Sequence, residues 1–357
     1  MQKYRIMPTP IPYVSLQDAL KPLYFGIDVG GTSIKIGLVD SNGASIDLKE
    51  YGADGFVQSV AKIATDRNVE TATQSMSREI TRLMEKHSLA PGTVAGAGLG
   101  LPCTMDVKTQ RLRRPPNIPD WEGYPICVEL SKRINMPVIF CNDANAAAFG
   151  EYWIGSAKGH PSVALLTMGT GVGCGIIING QSVDGSIGYG GECGHIIVDT
   201  SENAKLCGCG QKGHLEIYAS ATGVARRAIN LTDLHACSLR SRITPETKIS
   251  EIPKMVCEEA EKGDKVSLDL IREAAMYLGV GIVSILNTID PACILIGGAM
   301  TFGGKGSLMG EKYIGWIREE INQRAFPAIA QALTLDFALL GGDAGYIGAA
   351  GTAKSRI

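Results

Sequence analysis

Two aspartates and two glycine clusters mark where chemistry could happen in this chain. Asp28 lies in a short apolar run, Leu23 to Val29, and Gly30-Gly31 follow at once. Backbone N–H groups at a glycine-rich tip can approach and hold phosphate, and a carboxylate one hairpin turn away can orient a hydrated Mg²⁺. The simpler alternative is an Asp that caps its own turn. About 140 residues later a second tip, Gly169-Thr170-Gly171-Val172-Gly173, follows another apolar run. Asn142-Asp143 stands where a strand gives way to an alanine-rich helix, a place where an Asp is commonly an N-cap. Cys207 and Cys209, with His195 and His214, make four borderline-to-soft ligands within 20 positions. That set suits a tetrahedral, structural Zn²⁺; the alternative is two buried thiols and two solvent-facing histidines.

These residues need elements to position them. Leu23 to Val29 and the alternating Ile34 to Val39 predict a β-hairpin with a glycine tip, closed by the turn Ser41-Asn42-Gly43. Ser162 to Thr167 and Cys174 to Ile178 predict a second one. Helices are expected over 72–88, from about 143, over 268–289 and over 345–353, from apolar residues at helical spacing or runs of small residues. Strands are expected at Val94 to Leu99, Val138 to Cys141 and Cys293 to Ile296. Residues 106–123 and 185–194 read as loop, 1–22 as an irregular arm, and 230–262 take no assignment. Two halves that each begin with a glycine-tipped hairpin would enclose a cleft.

Composition narrows the function classes. The chain's length of 357 residues leaves room for about two domains. Hydrophobic residues make up 45% and charged residues 20%. That is an ordinary globular balance. A net charge of −2 gives no basic excess for nucleic acid or an anionic membrane surface. No apolar run reaches the length of a membrane span, and Met1 to Pro22 does not read as a secretory leader. Ten scattered cysteines point to free thiols in a cytoplasmic setting. The 44 glycines are well above the ordinary share of a globular chain, and they are concentrated in the clusters above.

In order and spacing, these motifs resemble one family. Phe25-Gly26-Ile27-Asp28-Val29-Gly30-Gly31-Thr32-Ser33-Ile34-Lys35 is similar to the first phosphate motif of the sugar-kinase/actin superfamily. Gly98-x-Gly-x-Pro102, Asn142 to Ala147, Gly169 to Gly173, Gly191-Glu192-Cys193-Gly194-His195 and Cys207-Gly208-Cys209-Gly210-Gln211-Lys212-Gly213-His214-Leu215-Glu216 follow it. Over about residues 23–355 the chain resembles the ROK family (repressor, open reading frame, kinase), specifically its glucokinase-like sugar kinases.

The resemblance implies an α/β chain of two ribonuclease-H-like (actin/hexokinase-type) domains with an interdomain active-site cleft. The smaller domain would be 23–141 plus 343–357 and the larger 142–342, with the sugar and zinc loops in the latter. It implies ATP-dependent phosphorylation of a hexose at O6, glucose by default, with Mg²⁺. N-acetylmannosamine, N-acetylglucosamine, mannose, fructose and allose are the alternatives among relatives. Asp143 would be the general base. Asn117, Asn142, Asp143, Glu192, His195 and Glu216 would hold the sugar. Asp28, Gly30, Gly31, Thr32, Lys35, Gly169, Thr170, Gly171 and Gly173 would serve the phosphates and Mg²⁺, and Gly297-Gly298 the adenosine.

His195, Cys207, Cys209 and His214 would ligate zinc, with His214 where the family usually has a third Cys. The departure leaves two outcomes, a Cys₂His₂ site with one shorter bond or a weakened or lost one. Cys103 departs from a usual Gly; it either narrows the sugar pocket or simply packs in the core. A homodimer is also implied. The family's repressor branch carries a helix-turn-helix segment ahead of the first strand. The stretch before Leu23, with its four prolines, is expected to be too short for one. A non-catalytic sugar sensor remains the non-enzyme reading.

Overall fold

The computed structural model describes residues 11–357 except 49, 52–56, 59, 107, 114, 116–117 and 235–236. In chain order the strands and helices begin with β1 (Tyr13–Val14), β2 (Leu23–Val29), β3 (Ser33–Val39), β4 (Ser45–Ile46), β5 (Glu50–Tyr51), β6 (Val57–Gln58) and β7 (Ala61–Ala64). Next come α1 (Val69–Lys86), β8 (Val94–Leu101), β9 (Thr104–Asp106), β10 (Arg111–Arg113), α2 (Ile126–Ile134), β11 (Val138–Asn142) and α3 (Asp143–Trp153). Then follow β12 (Ser162–Met168), β13 (Val172–Ile178), β14 (Gln181–Ser182), α4 (Leu215–Ala219), α5 (Ala221–Leu234), α6 (Ile252–Glu261) and α7 (Lys265–Ile289). The last are β15 (Cys293–Gly298), α8 (Leu308–Arg324), α9 (Pro327–Ala332), β16 (Thr334–Phe337) and α10 (Ala344–Arg356).

The chain divides into two compact units: residues 1–159, 175–191 and 339–357, and residues 160–174 with 192–338. In the first unit the strands run in the order β1-β4-β3-β2-β8-β11, with β7 also on β3. β2 pairs antiparallel with β3 and parallel with β8, and β8 is parallel to β11. β2 sits centrally because it is covered on both faces: Leu23, Phe25, Ile27 and Val29 point into one core, while Tyr24 and Gly26 on the opposite face pack under α10. α1 lays Met76, Ile80 and Leu83 into the same core, each contributing on the order of 1.5–3 kcal/mol by leaving water. Asn68 caps α1, its side chain accepting from the Thr71 N–H at 3.0 Å, so the helix starts earlier than residue 72.

Two expectations change here. The arm is not wholly irregular: β1 adds to the sheet beside β4, and Val14, Leu16 and Ala19 pack on the core. Residues 142–159 sit in the first unit and not with the second half. The reason is helix-on-helix packing: α3 lies so close to α10 that a Cβ on Gly150 would meet the Ala344 carbonyl at 2.7 Å. α10 likewise presses on the sheet, where a Cβ on Gly26 or Gly98 would collide with the backbone of Tyr346 or Ala349. Buried Glu151 of α3 fixes two passages of chain. Its Oε2 accepts from Ser156 N–H at 2.9 Å, and its Oε1 from Leu339 and Leu340 N–H at 2.8 and 2.7 Å.

In the second unit β15 lies parallel to both β12 and β16. α7 carries a broad apolar face that includes Leu270, Ile271, Leu278, Ile282 and Leu286, and Asp264 caps it. The unassigned stretch 230–262 holds the end of α5 and all of α6, separated by short 3₁₀ turns. Among the described residues no helix is long and apolar enough to cross a membrane.

Candidate active site and metal centre

In the first unit the hairpin β2–β3 places Asp28 opposite Lys35. Its tip is closed by Gly30 N–H donating to the Ser33 carbonyl at 2.9 Å. Thr65 braces it, donating its hydroxyl to the Gly30 carbonyl at 2.7 Å and its N–H to the Thr32 carbonyl at 3.1 Å. Burial pushes the Asp28 carboxyl up to about 6; Lys35 opposes this, while Asp143 and Asp343 add to it. A half-buried carboxylate whose proton affinity two others raise is the setting in which a divalent cation would find its charge balanced. Lys35 does not hang free: its Nζ donates to the Gly342 carbonyl and lies 3.7 Å from Asp343 Oδ1.

Sequence reasoning missed Gly345. A Cβ there would stand 2.7 Å from the Asp28 carboxyl carbon and one of its oxygens. The absent side chain lets the first turn of α10 pass against the carboxylate. Gly345→Ala is therefore expected to displace Asp28 and to destabilise the fold by about 1–3 kcal/mol, the ordinary cost of overpacking a tight site. Urea unfolding of the two proteins would check this.

Asn142, not Asp143, is the N-cap of α3: its Oδ1 accepts from Ala144 and Asn145 N–H at 3.0 and 3.2 Å. Both residue types cap well, so local preference could not choose between them. The cap occupies the Asn142 oxygen; its Nδ2 makes a 3.4 Å contact to the Cys103 carbonyl and is the end open to a ligand. Asp143 is the first residue of the helix. Its Oδ1 accepts from Ala144 N–H at 2.8 Å, and burial raises its pKa, with the helix N–H groups opposing. Cys103 is buried nearby, its thiol pushed up to about 12 by burial and then by Asp143 and Cys127, so it stays neutral. Asn117 lies outside the described residues.

In the second unit the glycine tip after β12 is tied to α5 through its carbonyls. Gly169 O accepts from Ala221 N–H at 2.9 Å, and Thr170 O from the Thr222 hydroxyl at 2.7 Å. Gly169 N–H is itself donated to Gly171 O at 3.0 Å, so the N–H groups of Thr170 and Gly171 are the ones that could turn to a phosphate. A cavity of about 630 Å³ opens at this tip, lined by Gly169, Thr170, Thr222, Lys254, Ala299 and Phe302 among others. Gly297 and Gly298 are not in its wall. Gly298 has φ +88°, and a Cβ on it would strike the backbone of Met168. These two glycines shape the turn that brings Ala299 and Met300 to the cavity. The wall contributed by Ile249, Ser250, Lys254 and Cys257 came from the unassigned stretch.

Glu216, on α4, reaches the same tip. Its Oε2 accepts from Val172 N–H at 3.2 Å, and Cys207 Sγ–H points at its Oε1 from 3.5 Å. Glu192 is largely exposed, 3.8 Å from His195 Nε2.

The four metal candidates converge. One ligand atom from each of His195, Cys207, Cys209 and His214 lies within 4.8 Å of the others. The Nδ1 atoms of His195 and His214 are 3.1 Å apart, and Cys207 Sγ and Cys209 Sγ lie 3.9 and 3.3 Å from an Nδ1. A zinc tetrahedron with ordinary bond lengths has edges of about 3.3–3.8 Å, so the set fits. A tight knuckle makes this possible: Cys207 N–H donates to Gln211 O, and Gly210 N–H to Cys207 O, at 2.8 and 3.0 Å. Burial lifts the Cys207 thiol to about 11 and, with His195, lowers His214. A neutral imidazole is what a metal binds, and a metal would hold Cys207 as thiolate.

The family assignment follows from comparison with known proteins. The model of the ROK family matches residues 24–356. The chain belongs to the ROK family. A glucokinase of Halalkalibacterium halodurans is 32% identical over 335 residues, 93% of this chain and 95% of that one. A xylose repressor of Caldicellulosiruptor bescii is 29% identical over 304 residues, 85% of this ROK chain and 71% of the repressor. The ROK hexokinase of Thermus thermophilus superposes with TM-score 0.74 at 28% identity, over 92% of this chain and 97% of that one. The ROK glucokinase of Streptomyces griseus, solved with glucose and AMPPNP, gives 0.68 at 30% identity, over 93% of this chain and 99% of that one. The fold is thus that of the ROK sugar kinases, of actin/hexokinase type.

Proposed function

We propose that this ROK protein transfers the γ-phosphoryl group of ATP to O6 of a hexose, glucose before N-acetylmannosamine, N-acetylglucosamine or another hexose. The observation that carries the reading is Asp143. It is a half-buried carboxylate of raised proton affinity at the start of α3, in the same unit as a second such carboxylate on a glycine-tipped hairpin. The glucokinase relatives and the neighbour solved with glucose and AMPPNP support it.

Asp143 Oδ1 is held by the Ala144 N–H, so Oδ2 is assigned as the atom that takes the proton of the attacking hydroxyl. A base so placed is worth ~10²–10⁴ in rate. Asn142 Nδ2, Glu192, His195 and Glu216 are assigned to sugar hydroxyls, which orient the ring and reject analogues that lack one. The glycine tips and the cavity wall of the second unit are assigned to the nucleotide. Asp28 would hold Mg²⁺, which when bound offsets the charge of the triphosphate.

Zinc held by His195, Cys207, Cys209 and His214 would be structural, fixing the loop that carries Glu192 and His195. Purified protein is then expected to hold about one zinc per chain by elemental analysis. Stripping it, or Cys207→Ser, should lower Tm by roughly 4–8 °C and raise the sugar KM more than that for ATP.

The deciding experiment is ADP release with Mg-ATP across glucose, mannose, fructose, N-acetylglucosamine and N-acetylmannosamine, with Asp143→Ala as control. Turnover on one sugar, lost in the control, supports the reading and names the substrate. The repressor relative supports a second reading, a sugar-responsive regulator. Sugar binding by calorimetry without turnover on any sugar would favour it.

A further inference from the structure

Asn145 is the third residue of α3 and only 3% exposed. Asn is a poor helix former, so its place there is not owed to local preference. Its amide is spent outside the helix at both ends. Oδ1 accepts from Ile176 N–H of β13 at 3.2 Å, and Nδ2 donates to Asp184 Oδ1 at 3.0 Å. A buried amide so placed is directional, because rotating the turn that carries it leaves a buried donor or acceptor unmet. Asp143 lies two residues back on that turn, and Asn142 caps it. Backbone also presses the turn on β13: a Cβ on Gly175 would stand 2.1 Å from the Ala144 carbonyl oxygen.

Asp184 gathers further contacts behind Asn145. Its Oδ2 accepts from Arg356 Nη2 at 2.9 Å, and the same nitrogen donates to the Ser182 hydroxyl at 2.9 Å. The two charged side chains are 41% and 44% exposed, so this outer bridge is worth little by itself. The Asp184 carbonyl accepts from Gly190 N–H at 2.9 Å and closes the loop between them. Within that loop Gly188 comes up against Thr104 of β9, where a Cβ would stand 3.0 Å from the Thr104 Cβ. Thr104 follows Cys103, whose carbonyl takes the Asn142 Nδ2 contact. Asp184 thus reaches the first turn of α3 from two sides, through Asn145 and through the loop behind Cys103. All of these residues belong to the first unit.

We infer that Asn145 is the positioning residue for the proposed base and that Asp184 acts through it. Asn145 fixes the rotation of the first turn of α3 against β13, and Asp184 fixes the Asn145 amide. That turn sets where Asp143 Oδ2 and Asn142 Nδ2 point. An ångström of misplacement can cost about a hundredfold in rate, so two residues outside the reacting set hold a long lever. The inference rests on the kinase reading and adds to it the part that keeps the base aimed.

Steady-state kinetics of the wild type, Asp184→Ala, Asp184→Asn and Arg356→Met test it on whichever sugar the wild type turns over, with amide hydrogen exchange alongside. Asp184→Ala changes a partly exposed side chain and is expected to fold. It should lower kcat by about 10–100-fold and raise the sugar KM severalfold, with the KM for Mg-ATP unchanged. Exchange at Ile176 N–H should quicken. Asp184→Asn keeps an oxygen for Asn145 Nδ2 and should recover most of the loss, and Arg356→Met should stay near the wild type. Asn145→Leu, where it folds, should lose at least as much as Asp184→Ala. A merely structural role would shrink the active fraction, so that kcat fell with both KM values unmoved. That result, or Asp184→Ala kinetics like those of the wild type, would overturn the proposal and leave the kinase reading standing. An Asp184→Asn loss equal to that of Asp184→Ala would overturn it as well, because the contact to Asn145 would then not be what matters. A wild type silent on every sugar would instead overturn the kinase reading, and the positioning role with it.

Discussion

Asp143→Asn is expected to lower kcat by roughly 10²–10⁴-fold and leave the fold intact. The amide keeps an oxygen where Oδ1 accepts the Ala144 N–H at 2.8 Å, and Asn142, not Asp143, provides the cap. The local hydrogen bonding of α3 therefore survives the change. What is lost is the capacity of Oδ2 to take a proton. The acid limb of the wild-type rate should report the same group. Burial raises the Asp143 pKa above the ordinary 3.8, so activity should fall at a higher pH than a free carboxylate would dictate. Steady-state kinetics with a circular-dichroism melt would check both. A variant that kept near-wild-type turnover would remove Asp143 from the base role.

Asp28→Asn should do two opposite things. Turnover with Mg-ATP should fall by two or more decades, because the carboxylate assigned to the cation is gone. Stability at neutral pH should rise. The Asp28 carboxyl is lifted from 3.8 to about 6 in the folded chain, burial being the main cause. A raised folded pKa means that the native state holds the proton more tightly than the unfolded chain. Stability is then greatest at low pH and is lost as pH rises from about 4 to 6. Above that window the charged form costs up to about 3 kcal/mol, at ~1.4 kcal/mol per pKa unit. The Asn variant avoids this cost. Urea unfolding of both proteins at pH 7 and at pH 4.5 would read it. The two curves should separate at pH 7 and draw together at pH 4.5; equal separation at both would show that the charge of Asp28 is not the cause. A residue that weakens the fold while serving chemistry is a common bargain at functional sites.

What could be read from the residues alone is what neighbours in sequence decide. Asp28, Gly30 and Gly31 share one hairpin, so the tip was legible from alternation and a turn signal. The metal ligands lie in one short stretch, and their types with their spacing were enough to expect convergence. Helix α7 was legible because its apolar stripe is long, and its true start waited only on the Asp264 cap. The family resemblance, carried by six motifs in order, supplied the two-domain fold that periodicity could not. Illegible features depend on residues far apart in the chain. Nothing near Gly345 says that it faces Asp28, since α10 reaches that carboxylate only after the sheet has formed. The nucleotide-cavity wall from Ile249 to Cys257 was hidden because α6 is short and preceded by 3₁₀ turns, which blur the helical period. The expected boundary at 141 failed to anticipate how small residues let α3 dock on α10.

Glu151 has a mechanical consequence. The chain passes from one unit to the other after residues 159, 174, 191 and 338. Ser156 stands just before the first of these passages, and Leu339 and Leu340 just after the last; all three N–H groups moor on the one Glu151 carboxylate. Two threads of the linkage thus share a single anchor bolt in the first unit, and slack cannot be let out of one without easing the other. An amide could not replace that bolt. Its NH₂ end would face a donor whichever way it turned, so one thread would always come loose.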